Sequence, residues 1–274
     1  MAKFEVNFFS YVMKRAVDIT VVVPTMTFAE AMAPHPDHTP KAPYPVIYLL
    51  HGTGNNHGIW PDYTKAILYA EEYQIALVCM SAENRDYVDN GDDDYMRFLE
   101  EELPNFVTGM FPISRRPEDT YIAGLSMGGF GTLVHALRYP EKYAAFGAFS
   151  AGINPEQCPT DPTGLQEYYL PNPKGMRPYP RGYRKDINPY CLIDKVKEDG
   201  KAYPKAYMSC GTKDGLYKHD LAFCESLKEH GADVTWNERE GYGHEWRFWD
   251  LELENFIKWL PRTDYYKDIV PRNA

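Results

Sequence analysis

Short apolar runs alternate with longer segments of helical length along most of the chain. Residues 4–9 and 17–23 are rich in β-branched and aromatic side chains and predict a pair of antiparallel strands. After a Pro-rich loop, the run VIYLL at residues 46–50 is bounded by turn residues and is too short for an independent helix, so it predicts a buried strand. Further strands are predicted at 75–80, 120–124, 143–150, 205–211 and 233–240. Helices are predicted at about 61–72, 92–109, 127–138, 217–230 and 245–259.

This alternation predicts an α/β fold with a mostly parallel central sheet and helices on both faces. A length of 274 residues fits one domain spanning 1–274. The segment 152–186 interrupts the alternation, because it contains seven prolines and follows neither the helical nor the strand period. Since long loops in compact domains are often functional, this segment predicts a small cap or lid over the ligand-binding edge of the sheet. The alternative is a solvated excursion without a role.

The charge and the cysteine content exclude several classes of protein. A net charge of -10, with Lys and Arg scattered along the chain, argues against nucleic acid as a partner. The N-terminal residues lack the pattern of a signal peptide and no later run is long enough to span a bilayer, so we expect a cytoplasmic protein without a membrane partner. Five cysteines without CxxC spacing predict neither a disulfide framework nor a zinc site.

The sequence Gly124-Leu125-Ser126-Met127-Gly128 carries the strongest chemical signal. It has the pattern GxSxG, with a predicted strand before it and a predicted helix after it. That context is typical of a nucleophile elbow, where small neighbours make room for a strained turn that exposes a serine. Because a free serine hydroxyl is a poor nucleophile, the interpretation also requires a base and an orienting acid. Ser126 is therefore the candidate nucleophile.

A base and an acid follow in the expected loops. His244 lies in the loop GYGHEW, after the last predicted strand and before the last helix. Asp214 lies in the turn GTKDGLY at the end of the preceding strand. The order Ser126, Asp214, His244 is the one that distinguishes this type of hydrolase from the two other common serine-hydrolase folds. Asp220 and Asp194 are rival acids, but the first falls inside a predicted helix and the second precedes the strand.

The loop LLHGTGNN, after residues 46–50, supplies part of a predicted oxyanion hole. The backbone N–H groups of Thr53 and Met127 are the two candidate donors to a developing negative charge. We expect the neighbouring His51 to brace the loop and not to titrate during catalysis.

Two other interpretations of these motifs fail on the sequence. The glycines at 52 and 54 imitate a dinucleotide fingerprint, but the third glycine is replaced by His57 and the helix is predicted to begin only after Trp60. The pair His244-Glu245 begins a zincin-like metal motif, but position 248 is Phe where the second histidine should stand. We therefore expect neither a cofactor nor a metal.

Four motifs together, HGTGNNHGIW, GLSMGGFGTL, CGTKDGLY and GHEWRFWD, resemble those of the esterase D and tributyrin esterase group of α/β-hydrolases. They are also similar to those of feruloyl and acetylxylan esterases of carbohydrate esterase family 1. The resemblance covers nearly the whole chain and implies an α/β-hydrolase fold and cofactor-free hydrolysis of small carboxylic esters. It assigns Ser126, Asp214 and His244 to a catalytic triad, and Thr53 and Met127 to the oxyanion hole.

The sequence thus predicts a serine carboxylesterase for small esters, with short-chain acyl groups, or acetyl or feruloyl groups on plant polysaccharide fragments, as candidate substrates. Trp60 and Trp246 are predicted to line the substrate cleft, whereas Trp249 is expected to pack. The alternatives are a thioester hydrolase of the S-formylglutathione type and a binding protein without catalysis. The expected partner is a small ester, saccharide-linked or phenolic, and the expected assembly is a monomer or a homodimer.

Overall fold

Within residues 1–26, 28–89, 93–153 and 185–269, which the computed structural model describes, eight strands form one sheet. The strands are β1 (Ala2–Ser10), β2 (Arg15–Val23), β3 (Val46–Leu50), β4 (Ala76–Met80), β5 (Thr120–Leu125), β6 (Ala145–Phe149), β7 (Lys205–Gly211) and β8 (Val234–Arg239). Their order across the sheet is β1-β2-β4-β3-β5-β6-β7-β8. β1 and β2 pair antiparallel, as do β2 and β4, and the remaining neighbours are parallel. The sheet is therefore mostly parallel, as the alternating pattern predicts.

Nine α-helical segments accompany these strands in the described part of the chain. They are α1 (Phe28–Ala31), α2 (Ile59–Tyr63), α3 (Ala66–Glu72), α4 (Tyr95–Arg97), α5 (Leu103–Met110), α6 (Met127–Arg138), α7 (Pro189–Glu198), α8 (Tyr217–Glu229) and α9 (Trp246–Trp259). A π-helical turn, Phe98–Glu102, joins α4 to α5.

Helices cover both faces of the sheet and bury a separate apolar layer on each. The alternation of strand side chains is visible in β3, where Val46, Tyr48 and Leu50 face one layer. That layer includes side chains of α5, α6, α7 and α8. Ile47 and Leu49 face the other layer, which includes side chains of α2, α3 and α9. A strand that is apolar on both sides is therefore explained by burial on both faces.

Two helical predictions need correction, and one helix was not predicted. The helix predicted at 61–72 is divided into α2 and α3, because Thr64 is extended and the Lys65 N–H binds Asp250 Oδ1 at 2.8 Å. The first of these helices begins at Ile59, earlier than predicted. The segment predicted as one helix at 92–109 contains the π-helical turn Phe98–Glu102. The structure also adds α7, whose start was readable from the sequence, since Asn188 caps it and Pro189 is its first residue.

The π-helical turn has a structural role at the far end of the sheet. Its Glu102 accepts the Ser10 hydroxyl and the backbone N–H groups of Tyr11 and Val12, at the turn between β1 and β2. The β1–β2 hairpin is thereby fixed to the body of the fold through a buried carboxylate.

Most of the predicted cap at 152–186 lies outside the described residues, so its role stays a prediction. In the described part of the chain, no helix combines the length and the apolar character that a bilayer span requires.

Candidate active site

The predicted nucleophile lies on a strained turn between β5 and α6. Ser126 has φ 53° and ψ -117°, a conformation that non-glycine residues rarely adopt and that the surrounding backbone must hold. The two glycines of the GxSxG pattern allow it. A Cβ added at Gly124 would lie 2.4 Å from the carbonyl oxygen of Gly128, and one added at Gly128 would lie 2.4 Å from that of Leu50. The pattern therefore reflects backbone contacts that no side chain would tolerate.

A histidine and an aspartate stand in line with this serine. His244 Nε2 lies 3.0 Å from Ser126 Oγ, and His244 Nδ1 lies 2.8 Å from Asp214 Oδ2. The second oxygen of Asp214 accepts the Leu216 N–H at 2.9 Å, which fixes the plane of the carboxylate. The structure thus brings together the three residues that the sequence singled out, with distances that permit proton transfer between the serine and the imidazole.

The carboxyl group of Asp214 is held in its charged form. Burial alone would raise its pKa, but hydrogen bonds from His244, from the Leu216 N–H and from Ser150 outweigh burial and lower the pKa below its ordinary value. A charged Asp214 stabilises the protonated imidazole that forms when His244 accepts a proton.

The sheet explains why distant residues meet. Ser126 follows β5, Asp214 follows β7 and His244 follows β8, each just beyond the carboxyl end of a parallel strand. The loop with Thr53 follows β3 at the same edge. Ligand sites of open α/β sheets form at this edge, and the strand order reverses beside it.

The predicted oxyanion loop contacts the nucleophile turn. A Cβ added at Gly52 would lie 2.5 Å from the Leu125 side chain and 3.4 Å from Ser126 Cβ, so the loop passes directly over the elbow. Within the described residues, neither the Thr53 N–H nor the Met127 N–H has a hydrogen-bond partner. No described acceptor therefore occupies either group, and the Met127 N–H is in the first turn of α6, where the helix dipole favours negative charge.

His51 lies beneath this loop, 1% exposed. Its Nε2 atom is 3.0 Å from the Ala82 N, and its Nδ1 atom is 2.7 Å from the Gly52 carbonyl oxygen. Burial lowers its pKa to about 4. These contacts are those of a neutral, structural histidine, as expected from the sequence.

The prediction that Trp60 lines the substrate cleft needs correction. Trp60 is only 1% exposed, its indole N–H donates to the Leu50 carbonyl at 2.9 Å, and its ring packs edge-on against Phe149. An indole held in the core in this way presents no surface to a substrate. Trp246 is half-buried and lies between Trp60 and the exposed ring of Tyr63, so its predicted role stays a prediction.

The rival acids are occupied elsewhere. Asp194 binds His230 at 2.9 Å on the surface. Asp220 is buried in α8 and accepts the Ala151 N–H at 2.8 Å. Trp249 packs, as expected, with its ring against that of His244. Ser150, which also contacts the site, was missed as a functional candidate because its position depends on tertiary packing. No sequence motif marks a serine at the end of β6.

Comparison with known proteins identifies the family of the chain. Residues 30–256 match the protein family described as "Putative esterase". An acetyl esterase from Caldicellulosiruptor saccharolyticus is 29% identical over 270 residues, 96% of this chain and 99% of the relative. An S-formylglutathione hydrolase from Rattus norvegicus is 31% identical over 159 residues, 55% of this chain and 50% of that one.

A solved structure of a serine hydrolase is also similar to this chain. FphF, a fluorophosphonate-binding serine hydrolase of Staphylococcus aureus with substrate bound, aligns with a TM-score of 0.76 at 26% identity, over 94% of this chain and 98% of that chain. These similarities confirm the predicted α/β-hydrolase fold and the predicted class of enzyme, a carboxylic ester hydrolase.

Proposed function

Since this chain belongs to the "Putative esterase" family and is a carboxylic ester hydrolase, we propose that it acts through a triad of Ser126, His244 and Asp214 on esters of short acyl groups. One observation carries the proposal. His244 lies between the other two side chains, 3.0 Å from the serine hydroxyl oxygen and 2.8 Å from the carboxylate. A nucleophile, a base and an orienting acid in this order form the minimal machinery for acyl transfer.

The reaction proceeds through an acyl-enzyme. Ser126 Oγ attacks the ester carbonyl carbon as His244 Nε2 takes its proton, and the carbonyl oxygen becomes an oxyanion. The tetrahedral intermediate collapses, the bond to the alcohol oxygen breaks, and the alcohol leaves with the proton from His244. Water, deprotonated by the same imidazole, then attacks the acyl carbon and releases the acid and the free serine. Asp214 keeps Nδ1 of the imidazole protonated and oriented throughout.

The oxyanion is held by the N–H groups of Thr53 and Met127. Their availability supports this role, as does the passage of Gly52 over the elbow. Loss of one donor of this kind raises the barrier by about 3 to 4 kcal/mol in other serine hydrolases. Such donors act on the transition state, so they contribute mainly to kcat.

The size of the acyl group is inferred from the relatives and from the rim of the site. The acetyl esterase aligns along nearly the full length of both chains, which favours a small acyl group. Beside His244, the aromatic rings of Trp249, Trp246 and Tyr63 follow one another, with centroids 4.8 to 5.3 Å apart. Tyr63 is 61% exposed at the end of this row. A row of rings that leads outward suits a saccharide or a phenolic ring on the substrate.

A second candidate is hydrolysis of a thioester such as S-formylglutathione. The observation in its favour is the 31% identity to the rat enzyme, although that similarity spans half of each chain. Both reactions use the same triad, so the leaving group alone distinguishes them.

The test pairs wild type with Ser126→Ala on p-nitrophenyl esters of increasing acyl length, methyl ferulate, acetylated xylan and S-formylglutathione. We expect fastest turnover of acetyl esters, a burst of one p-nitrophenol per active site, and a fall of about 10⁶-fold in kcat for the alanine variant. A fluorophosphonate probe should label wild type and not Ser126→Ala. Full activity of the variant would exclude the triad, and preference for S-formylglutathione would select the second candidate.

A further inference from the structure

The turn that follows β6 bonds directly to Ser126 and reaches the other two residues of the proposed triad through Ser150 and Trp249. It consists of Ser150, Ala151 and Gly152. Ser150 has φ 44°, in the left-handed region, where a serine costs about 1 kcal/mol or more. Its conformation therefore has to be held by its neighbours. The contacts that hold it indicate the function of the turn.

One end of the turn binds the backbone of the nucleophile. The Gly152 N–H donates to the Ser126 carbonyl oxygen at 2.9 Å, and the Ser126 N–H donates to the Phe149 carbonyl oxygen at 3.0 Å. A Cβ on Gly152 would lie 3.2 Å from the same Ser126 oxygen. The strained serine peptide is thus held on both sides by the strand end and the turn.

The other end of the turn interacts with Asp214 and with Trp249, the residue that packs against His244. The buried Ser150 hydroxyl accepts the Trp249 indole N–H at 3.3 Å, which leaves its own proton free to donate. As a hydrogen-bond donor, Ser150 also contributes to the lowered pKa of Asp214. The Trp249 ring meets the His244 ring edge-on, with centroids 4.8 Å apart. Ser150 therefore acts on two members of the triad, directly on one and through Trp249 on the other.

Asp220 fixes the middle of the turn. It is 0% exposed, and its Oδ2 atom accepts the Ala151 N–H at 2.8 Å. Its Oδ1 atom has no hydrogen-bond partner within the described residues. Burial raises the pKa of this carboxyl well above its ordinary value, and the nearby charge of Asp214 adds to the effect. Burial of a carboxyl with so few hydrogen bonds is costly and calls for an explanation. The hydrogen bond to the turn provides one.

We propose that Asp220 and Ser150 are positioning residues of the hydrolytic site, Asp220 by anchoring the turn at Ala151 and Ser150 by holding Asp214 and Trp249 from that turn. The inference rests on the proposed triad. It extends the machinery to α8, a helix that carries no member of the triad, and gives a role to a buried acid that the reaction itself does not use.

The test compares Ser150→Ala, Asp220→Leu and Asp220→Asn with wild type. Ser209→Ala is the matched control, because Ser209 is equally buried, on β7, and its hydroxyl has no partner within the described residues. Active sites are titrated with a fluorophosphonate, so that kcat refers to folded enzyme. Rates on p-nitrophenyl acetate are measured from pH 5 to 9, with the melting temperature of each variant.

For Ser150→Ala and Asp220→Leu we expect kcat to fall by about tenfold or more with KM within about twofold of wild type. The acid limb of the Ser150→Ala profile should move to higher pH, because an Asp214 carboxylate that has lost a donor attracts the protonated imidazole more strongly. Asp220→Asn keeps an acceptor for the Ala151 N–H and should restore kcat to within about threefold. Ser209→Ala should match wild type.

Wild-type kcat and an unmoved acid limb in Ser150→Ala would overturn the inference, even with a lowered melting temperature, because a purely structural role produces that result. If Asp220→Leu does not fold, Ser150→Ala and Asp220→Asn still test whether the two residues position the site. An active Ser126→Ala would instead remove the proposed triad, so the two failures are distinguishable.

Discussion

His51 Nε2 accepts the backbone N–H of Ala82 at 3.0 Å, between the oxyanion loop and the loop that follows β4. An imidazole nitrogen that accepts a hydrogen bond cannot also carry a proton. The proton of the neutral ring therefore lies on Nδ1, 2.7 Å from the Gly52 carbonyl oxygen. Protonation of Nε2 would break the contact with Ala82 and release one side of the oxyanion loop.

Acid should therefore destabilise the fold through His51. Its pKa is lowered to about 4 in the fold from an ordinary 6.5, so the unfolded chain binds the proton first. Stability is present above pH 6.5 and is lost as the pH falls towards 4, by about 3 kcal/mol in total. Urea unfolding across this range measures it. In His51→Gln this contribution should vanish, whereas the exposed control His38→Gln should retain it.

Two of the helical glycines, Gly128 and Gly109, should respond in opposite ways to substitution by alanine. The new Cβ of Gly128→Ala would lie 2.4 Å from the Leu50 backbone, so we expect a loss of about 1 to 3 kcal/mol and of most activity. Gly109 in α5 has open space around it, so Gly109→Ala should stabilise by about 0.5 to 1 kcal/mol with unchanged kcat. Thermal unfolding and initial rates measure both, and equal effects would contradict the packing at the elbow.

Asp220→Asn should be more stable than wild type at alkaline pH. The folded pKa of Asp220 is raised, so its stabilising contribution is present below the unfolded pKa of about 3.8 and is lost as the pH rises towards the folded pKa. An asparagine side chain has no proton to lose in this pH range and stays uncharged. The difference in melting temperature between the variant and wild type should therefore grow from pH 4 to pH 8. A difference that stays constant with pH would show that the buried acid does not titrate.

Loss of the Trp246 ring should raise KM more for a substrate with a feruloyl group than for one with an acetyl group. Trp246→Ala removes the ring between Trp249 and the exposed Tyr63, so KM for methyl ferulate should rise by about tenfold, with a much smaller rise for p-nitrophenyl acetate. Tyr11→Ala, an exposed aromatic on the distant β1–β2 turn, is the control. An equal rise for both substrates would argue for general packing by Trp246.

The sequence predicts the sheet and the three central residues of the site because each depends on local patterns. Ser126, Asp214 and His244 each follow a strand closely, so the strand pattern, the GxSxG motif and the order of the three residues together locate them. The prediction for Trp60 was wrong because the sequence near a helix start does not show whether a tryptophan indole N–H faces a ligand or, as here in α2, the Leu50 carbonyl. Ser150 was missed for a related reason, since its partners come from α9 and from the loop after β7.

The break between α2 and α3 has a similar origin. Residues 61–72 carry a helical pattern, but the Lys65 N–H bonds to Asp250 of α9, far along the chain. A contact between distant parts of the sequence has no signature within a window of a dozen residues.

The separation of the triad along the chain has a consequence for biosynthesis. Ser126 and His244 are 118 positions apart, and the strands that precede them, β5 and β8, are separated in the sheet by the two strands β6 and β7. Contacts of such long range form late in folding, after the intervening chain has been ordered. During translation no nascent chain that ends before His244 can assemble the site. Hydrolysis begins only with the completed sheet. The time at which ester hydrolysis first appears in a cell-free translation reaction therefore measures when the final folding step occurs.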